Sequence, residues 1–248
     1  MDTSDPNAVI HIAVQGKTHV GNVRQRNEDS LLADEHLNLY LVADGMGGHD
    51  RGDLASQTAC QVVQKLVTRG VTLAGAVRRA NQDIVRRGLR DDQRRPMGTT
   101  LVAMQIIRQQ ARLLWIGDSR IYRLRDQLER LSRDHSAVQQ LIDLGEITEA
   151  EARCHPHRNI ITQALGASSS DDIRFGTREE TLNAGDRYLL CSDGLTTELE
   201  DETIATLLHD HPTTDAACNA LVDEALEAGG NDNITVIVVD IAPEATTS

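Results

Sequence analysis

The run Leu39-Tyr40-Leu41-Val42-Ala43 and the segment directly after it, Asp44-Gly45-Met46-Gly47-Gly48-His49, constrain this chain more than any other stretch. Five successive apolar residues read as a buried strand. Asp44 then sits where that strand leaves the core. A carboxylate there either bears a desolvation cost of several kcal/mol or has a strong partner. Glycine at 45, 47 and 48 lets a partner come close to the backbone. A metal ion satisfies both conditions.

The same arrangement recurs. Asp118 follows Leu114-Trp115-Ile116-Gly117, Asp193 follows Leu189-Leu190-Cys191-Ser192, and Asp232 comes just before an apolar run starting at Ile234. Any one of these acids is most simply a turn residue. Four of them, with Glu28-Asp29 as an acidic pair, point to strand ends sharing one rim. Carboxylates gathered there repel unless cations lie between them. Oxygen-only ligands favour a hard ion such as Mg²⁺ or Mn²⁺, and no HExxH or paired-cysteine spacing argues for zinc. Arg24, just ahead of Glu28, has the planar fork that grips a phosphate through two hydrogen bonds. Metal carboxylates with an arginine fork indicate phosphoryl chemistry.

The order of elements predicts the fold class. Strands are expected at 10–14 and up to 43, helices at 53–69 and 73–87, and three strands at 99–107, 111–116 and 121–124 forming an antiparallel meander. Residues 136–166 show little apolar periodicity and predict a flap, with short helices at 136–144 and from Thr148, where Glu151 completes a capping box. Strands at 173–177 and 186–191, helices at 201–208 and 214–226, and a central strand at 234–241 complete the pattern. Strands, two helices, strands, two helices, strand is an α+β layered arrangement rather than a βαβ repeat. One domain over residues 8–242 is expected, with flexible tails at 1–7 and 243–248.

With aromatic residues at 2%, the core is expected to consist of Val, Ile, Leu and Ala. A net charge of −13 excludes a nucleic-acid binder on electrostatic grounds, but not a phosphorylated substrate met through a bound cation. Four scattered cysteines form no CxxC pair, which points to a reducing, cytoplasmic setting. No segment has the apolar length of a membrane span, and residues 1–6 lack the features of a signal peptide. The arginines between 78 and 95 read as a solvated helix face, and Cys154-His155-Pro156-His157 as polar flap rather than a zinc cluster.

Seven segments, in order, resemble the metal-dependent Ser/Thr protein phosphatases of the PPM family (type 2C) in their bacterial form. They are Arg24 to Ser30, Asp44 to His49, Met97-Gly98-Thr99-Thr100, Gly117-Asp118-Ser119-Arg120, Asp134-His135-Ser136, Ser192-Asp193-Gly194-Leu195 and Asp232-Asn233. The resemblance implies a central β-sandwich of two mainly antiparallel sheets flanked by helices, four layers αββα, with two metal ions on one rim. It implies that Asp44 bridges both ions with help from the Gly45 carbonyl, that Asp193 and Asp232 hold the first and Glu28 the second, and that Asp29 holds metal-bound water. Asp118 with Asp193 would bind a third, weaker ion, and Arg24 would grip the phosphate. The implied reaction is in-line attack of a metal-bridging hydroxide on phospho-Ser/Thr of proteins phosphorylated by a cognate Ser/Thr kinase.

One position departs from many eukaryotic members, in which a histidine follows the Asp-Gly pair as proposed proton donor. Here it is Met46, which leaves a metal-bound water as the expected donor and His49 as the weaker choice. Two alternatives stand beside this reading, a catalytically silent phosphatase-like binding domain and a hydrolase of small phosphoesters.

Overall fold

The computed structural model describes residues 10–47, 51–90, 97–167 and 173–243. Strands β1 (Ile10–His19), β2 (Ser30–Asp34), β3 (Leu39–Ala43) and β4 (Gly45–Met46) precede helices α1 (Gly52–Thr68) and α2 (Leu73–Arg90). Next come β5 (Gly98–Thr99), β6 (Leu101–Ile107), β7 (Gln110–Ile116), β8 (Arg120–Leu124) and β9 (Leu128–Arg130), then α3 (Ala137–Asp143) and α4 (Glu149–Arg153). The chain continues through β10 (Gly176–Thr181), β11 (Arg187–Cys191), α5 (Asp193–Thr196), α6 (Asp201–Asp210) and α7 (Thr214–Ala228), and ends in β12 (Ile234–Pro243).

Two five-stranded antiparallel sheets result, ordered β1-β12-β11-β8-β9 and β10-β7-β6-β3-β2. Side-chain alternation along each central strand then builds the layers. On β3, Leu39, Leu41 and Ala43 face the α1–α2 layer, whereas Tyr40 and Val42 face the other sheet. On β12, Ile237, Val239 and Ile241 enter the space between the sheets, and Ile234, Val236 and Val238 pack towards α6 and α7. The architecture is therefore the expected αββα sandwich. The core is not purely aliphatic: Tyr40, Tyr122 and Tyr188 are its largest fully buried side chains.

The structure corrects several sequence-based expectations. β6, β7 and β8 do not form a meander, because β7 pairs with β6 and β10 while β8 crosses to the other sheet and pairs with β11 and β9. The crossing is made at Gly117, whose φ of 98° lies in the left-handed region. A Cβ at Gly117 would fall 2.5 Å from Thr100 Cγ2. The strand expected at 173–177 starts instead at Gly176. Ile173 belongs to the helix-layer core, and Arg78 lies 4.8 Å above the Phe175 ring, so those apolar residues cap α2 rather than pair in a sheet. The expected flap is also shorter, since Ala164 and Leu165 are buried and Leu165 exchanges backbone hydrogen bonds with Thr99. Pro243, expected in a tail, ends β12. The expected tails at 1–7 and 244–248 lie outside the described residues.

The helical arginines behave as a surface. Arg79 and Arg86 both pair with Asp83, and Arg87 donates to the Thr58 hydroxyl. Arg94 and Arg95 lie outside the described residues.

The capping box on α4 forms as expected: Thr148 Oγ1 accepts from Glu151 N at 3.3 Å, and Glu151 Oε2 accepts from Thr148 N at 2.7 Å. Thr148→Ala is expected to cost this helix about 1 kcal/mol, or roughly fivefold faster amide exchange at residues 152–153. Exchange mass spectrometry would show this with the global thermal midpoint unchanged.

Candidate metal centre and active site

The acidic rim is assembled by backbone contacts before any ion is considered. Asp44 leaves β3 with its N–H donated to Thr100 Oγ1 at 3.0 Å. Its carbonyl accepts from Thr99 Oγ1 at 2.8 Å and from Thr100 N at 2.9 Å. Thr100 Oγ1 also lies 2.7 Å from Ser119 Oγ, which ties the Asp44 turn to the Asp118 turn. Gly45 donates its N–H to Glu28 O, and a Cβ there would fall 2.1 Å from Gly52 O, so only glycine allows this approach. The Glu28 carboxylate accepts from Gly52 N at the start of α1, where a helix favours negative charge.

Asn233 holds the opposite side of the rim. Its Oδ1 accepts from Glu28 N at 2.8 Å, and its Nδ2 donates to Val20 O and Arg26 O, both at 2.9 Å. The loop carrying Arg24 and Glu28 is thus stapled beside Asp232. Sequence reading matched Thr99, Thr100 and Asn233 to a family pattern without giving them a role. Their signal is adjacency, each lying within a residue or two of a strand end.

The acids share one electrostatic field. Burial holds Asp44 well above the usual carboxylate range, and Asp29, Asp193, Asp118 and Asp232 push it further. Burial followed by Asp193 and Asp134 does the same to Asp118. Asp193 is raised by burial and by Asp232, and eased by a hydrogen bond with Asp44. Asp29 is pushed up to about 7 by burial, despite a hydrogen bond from Ser192. Asp44 and Asp193 are half-buried, at a rim that solvent still reaches. Of the four strand-end acids, Asp118, Asp193 and Asp232 each act electrostatically on Asp44.

This donor set suits hard cations. Every side-chain donor is a carboxylate oxygen, and Asp29 Oδ1 and Asp118 Oδ1 are buried without a hydrogen-bond partner among the described residues. Among the described residues, no three such side chains stand close enough together to hold an ion. Asp232 is instead engaged by Arg24, whose Nη2 donates to Oδ2 at 2.6 Å. Beyond Asp118 and Asp193 lies a cavity of about 520 Å³, roofed by Val138, Gln139, Ala152 and Arg153 of the flap helices.

Other sequence expectations resolve more simply. Cys191 is fully buried with its thiol pushed up to about 12 by burial, so it is no nucleophile. His155 and His157 meet edge to face at 5.3 Å, and His155 Nδ1 accepts from His157 N, a local turn rather than a metal cluster. Met46 lies in the two-stranded β4–β5 ribbon opposite Gly98. His49 lies outside the described residues.

Fold and rim together define a class. A family model described as protein phosphatase 2C matches residues 15–228, and the chain belongs to that family. Among its relatives is the Ser/Thr protein phosphatase PstP of Mycobacterium tuberculosis (strain ATCC 25618 / H37Rv), 40% identical over 228 residues. That match covers 89% of this chain and 43% of PstP, so the chain spans less than half the length of that relative. Protein phosphatase PhpP of Streptococcus pneumoniae (serotype 2, strain D39 / NCTC 7466) is 37% identical over 243 residues, covering 92% of this chain and 96% of PhpP. The crystal structure of the PstP catalytic domain in complex with two manganese ions superposes with a TM-score of 0.84 at 36% identity. It covers 94% of this chain and 100% of that one.

Proposed function

We propose that this chain is a metal-dependent protein Ser/Thr phosphatase. The observation that carries this reading is the crowd of Asp44, Asp118, Asp193 and Asp232 with Arg24 at its edge, on the fold of a family whose named relatives are Ser/Thr phosphatases. Asp44, with the Gly45 carbonyl, stands between the groups that would hold two core Mn²⁺ or Mg²⁺ ions: Asp193 and Asp232 on one side, Glu28 on the other. Asp118 and Asp193, at the mouth of the flap cavity, would hold a third and weaker ion. Bound ions would supply Lewis acidity and a water acidic enough to ionise near neutral pH.

This chain's residues do the rest. Asp29 accepts from Ser192 Oγ at 2.8 Å and keeps its second oxygen free to orient water. Arg24, whose Nη2 donates to Asp232 Oδ2, carries the fork that would grip the substrate phosphate. The silent-domain alternative would need a missing acid at the rim, and all are present. The substrates in this reading are phosphorylated Ser/Thr proteins, with a cognate kinase as the opposing enzyme. Three of the four cysteines are buried free thiols, which suits the cytoplasm. Among the described residues no helix is long and apolar enough to cross a membrane.

The test is phosphate release from phospho-Ser/Thr peptides, with Mn²⁺, with Mg²⁺ and with chelator. Metal-stimulated release is expected, and its absence would overturn the reading. Arg24→Ala at saturating Mn²⁺ is expected to lower kcat/KM by about 10- to 100-fold, the worth of one charge-assisted hydrogen bond or two. Calorimetry should show Mn²⁺ binding retained in that variant.

A further inference from the structure

Three consecutive residues at the root of the flap, Asp134, His135 and Ser136, take no part in the reaction as argued above. Each nevertheless makes a distinct anchoring contact. Asp134 takes the Arg120 guanidinium, with Nε at 3.1 and 3.2 Å from its two oxygens and Nη2 at 2.8 Å from Oδ2. His135 holds Gly117 at two points: its N–H donates to Gly117 O at 2.8 Å, and its Nδ1 accepts from Gly117 N at 3.2 Å. Ser136 Oγ accepts from Gln139 N at 3.2 Å and so caps α3, the first flap helix.

The gripped residues, Gly117 and Arg120, lie on either side of Asp118. The Gly117 carbonyl shares its peptide plane with the Asp118 N–H, so fixing that carbonyl fixes where the Asp118 backbone starts. Only two side-chain torsions then separate the backbone from the carboxylate, which is buried with Oδ1 unpartnered among the described residues. The far end of the flap returns to the same root. Thr162 N donates to His135 O at 2.8 Å, Ala137 N donates to Ile160 O at 2.8 Å, and Ser136 bridges Ile161. Both ends of the flap therefore meet at the residues that grip the Asp118 turn.

We propose that Asp134-His135-Ser136 is a clasp that places the Asp118 carboxylate and ties that placement to the flap, with His135 as a positioning residue acting through Gly117. The proposal rests on the reading of Asp118 as a cation-holding acid. A cation drawn to Asp118 would stiffen the flap, and a loosened flap root would weaken cation binding there. An outer contact of this kind is worth about 10- to 100-fold in metal affinity.

Hydrogen-exchange mass spectrometry and Mn²⁺ calorimetry on the full chain test this with His135→Leu, which removes the acceptor, and His135→Asn, whose Oδ1 stands at the bond position of Nδ1. In His135→Leu, exchange is expected to quicken about tenfold together at 117–120 and 137–160, with the weakest Mn²⁺ site about tenfold weaker. His135→Asn should restore most of both. The clasp is overturned if the flap loosens while 117–120 keeps its protection, or if asparagine rescues nothing. Should His135→Leu not fold, the unsubstituted protein decides: Mn²⁺ must slow exchange at 117–120 and 137–160 together, and Asp118→Asn must remove the effect on the flap. A flap indifferent to Mn²⁺ that binds at the other acids sinks the proposal. A protein that binds no Mn²⁺ at all overturns the proposed function instead, and the clasp is then judged on whether the two segments loosen together in the variants.

Discussion

Asp44→Asn is expected to abolish metal-stimulated phosphate release while raising the thermal midpoint of the metal-free protein. Both effects have one cause. Asp44 is held at the centre of a crowd of like charges, with burial and four neighbouring acids opposing its ionisation. Asparagine keeps the shape and one acceptor oxygen, removes a repelling charge, and has an N–H to offer the neighbouring Asp193. In chelator the midpoint should therefore rise by a few degrees, at about 2–4 °C per kcal/mol for a chain of this size. With Mn²⁺ the balance reverses. The wild-type protein gains stability from ion binding in proportion to affinity, and the variant loses most of that increment. Activity should fall by about 10³-fold or more, since a ligand shared by two ions supports several kcal/mol of transition-state stabilisation. A variant retaining a tenth of wild-type activity, or one less stable than wild type in chelator, would contradict this account.

The second large effect is a pH dependence of stability that changes sign with metal. An acid whose pKa is raised in the native state binds more protons there than in the unfolded chain. Its contribution to stability is complete below the unfolded value, about 3.9, and is lost as pH rises through the native one. For Asp29 that native value is about 7. Asp44, Asp118 and Asp193 are shifted in the same direction. In chelator, the thermal midpoint should therefore fall steadily between pH 5 and about pH 7. Asp29→Asn should flatten part of that slope. With Mn²⁺ saturating, the slope should invert, because ions bind ionised carboxylates and displace their protons. Thermal scans across that range with and without Mn²⁺ give the answer. A metal-free protein that gains stability between pH 5 and 7 would show that the acids are not crowded as the structure has them.

Much of this was legible in the chain. The double-sided apolar runs identified β3 as a buried strand and β12 as a central one, because a strand buried on both faces has no polar side to show. The acids at 44, 118, 193 and 232 were legible as a set because each follows or precedes such a run at a glycine-containing turn or an Asp-Asn step. The capping box at Thr148 was read correctly because it is a contact between residues three apart. Local chemistry is written locally.

The errors fall where long-range contact overrides local pattern. β8 looked like the third strand of a meander, yet the left-handed Gly117 and the Thr100 side chain against it send it to the other sheet. Ile173 and Phe175 looked like strand residues, yet α2 needed a cap. By itself, the sequence determined the α+β layered class, the buried strands and the identity of the acids in the segment Asp44-Gly45-Met46-Gly47-Gly48-His49 and its counterparts. Only the tertiary structure decided that those acids crowd one rim, that Arg24 meets Asp232 there, and that Asp134-His135 grips the turn on both sides of Asp118. Periodicity records which face of an element is buried, whereas which buried faces meet depends on packing between residues a hundred or more positions apart.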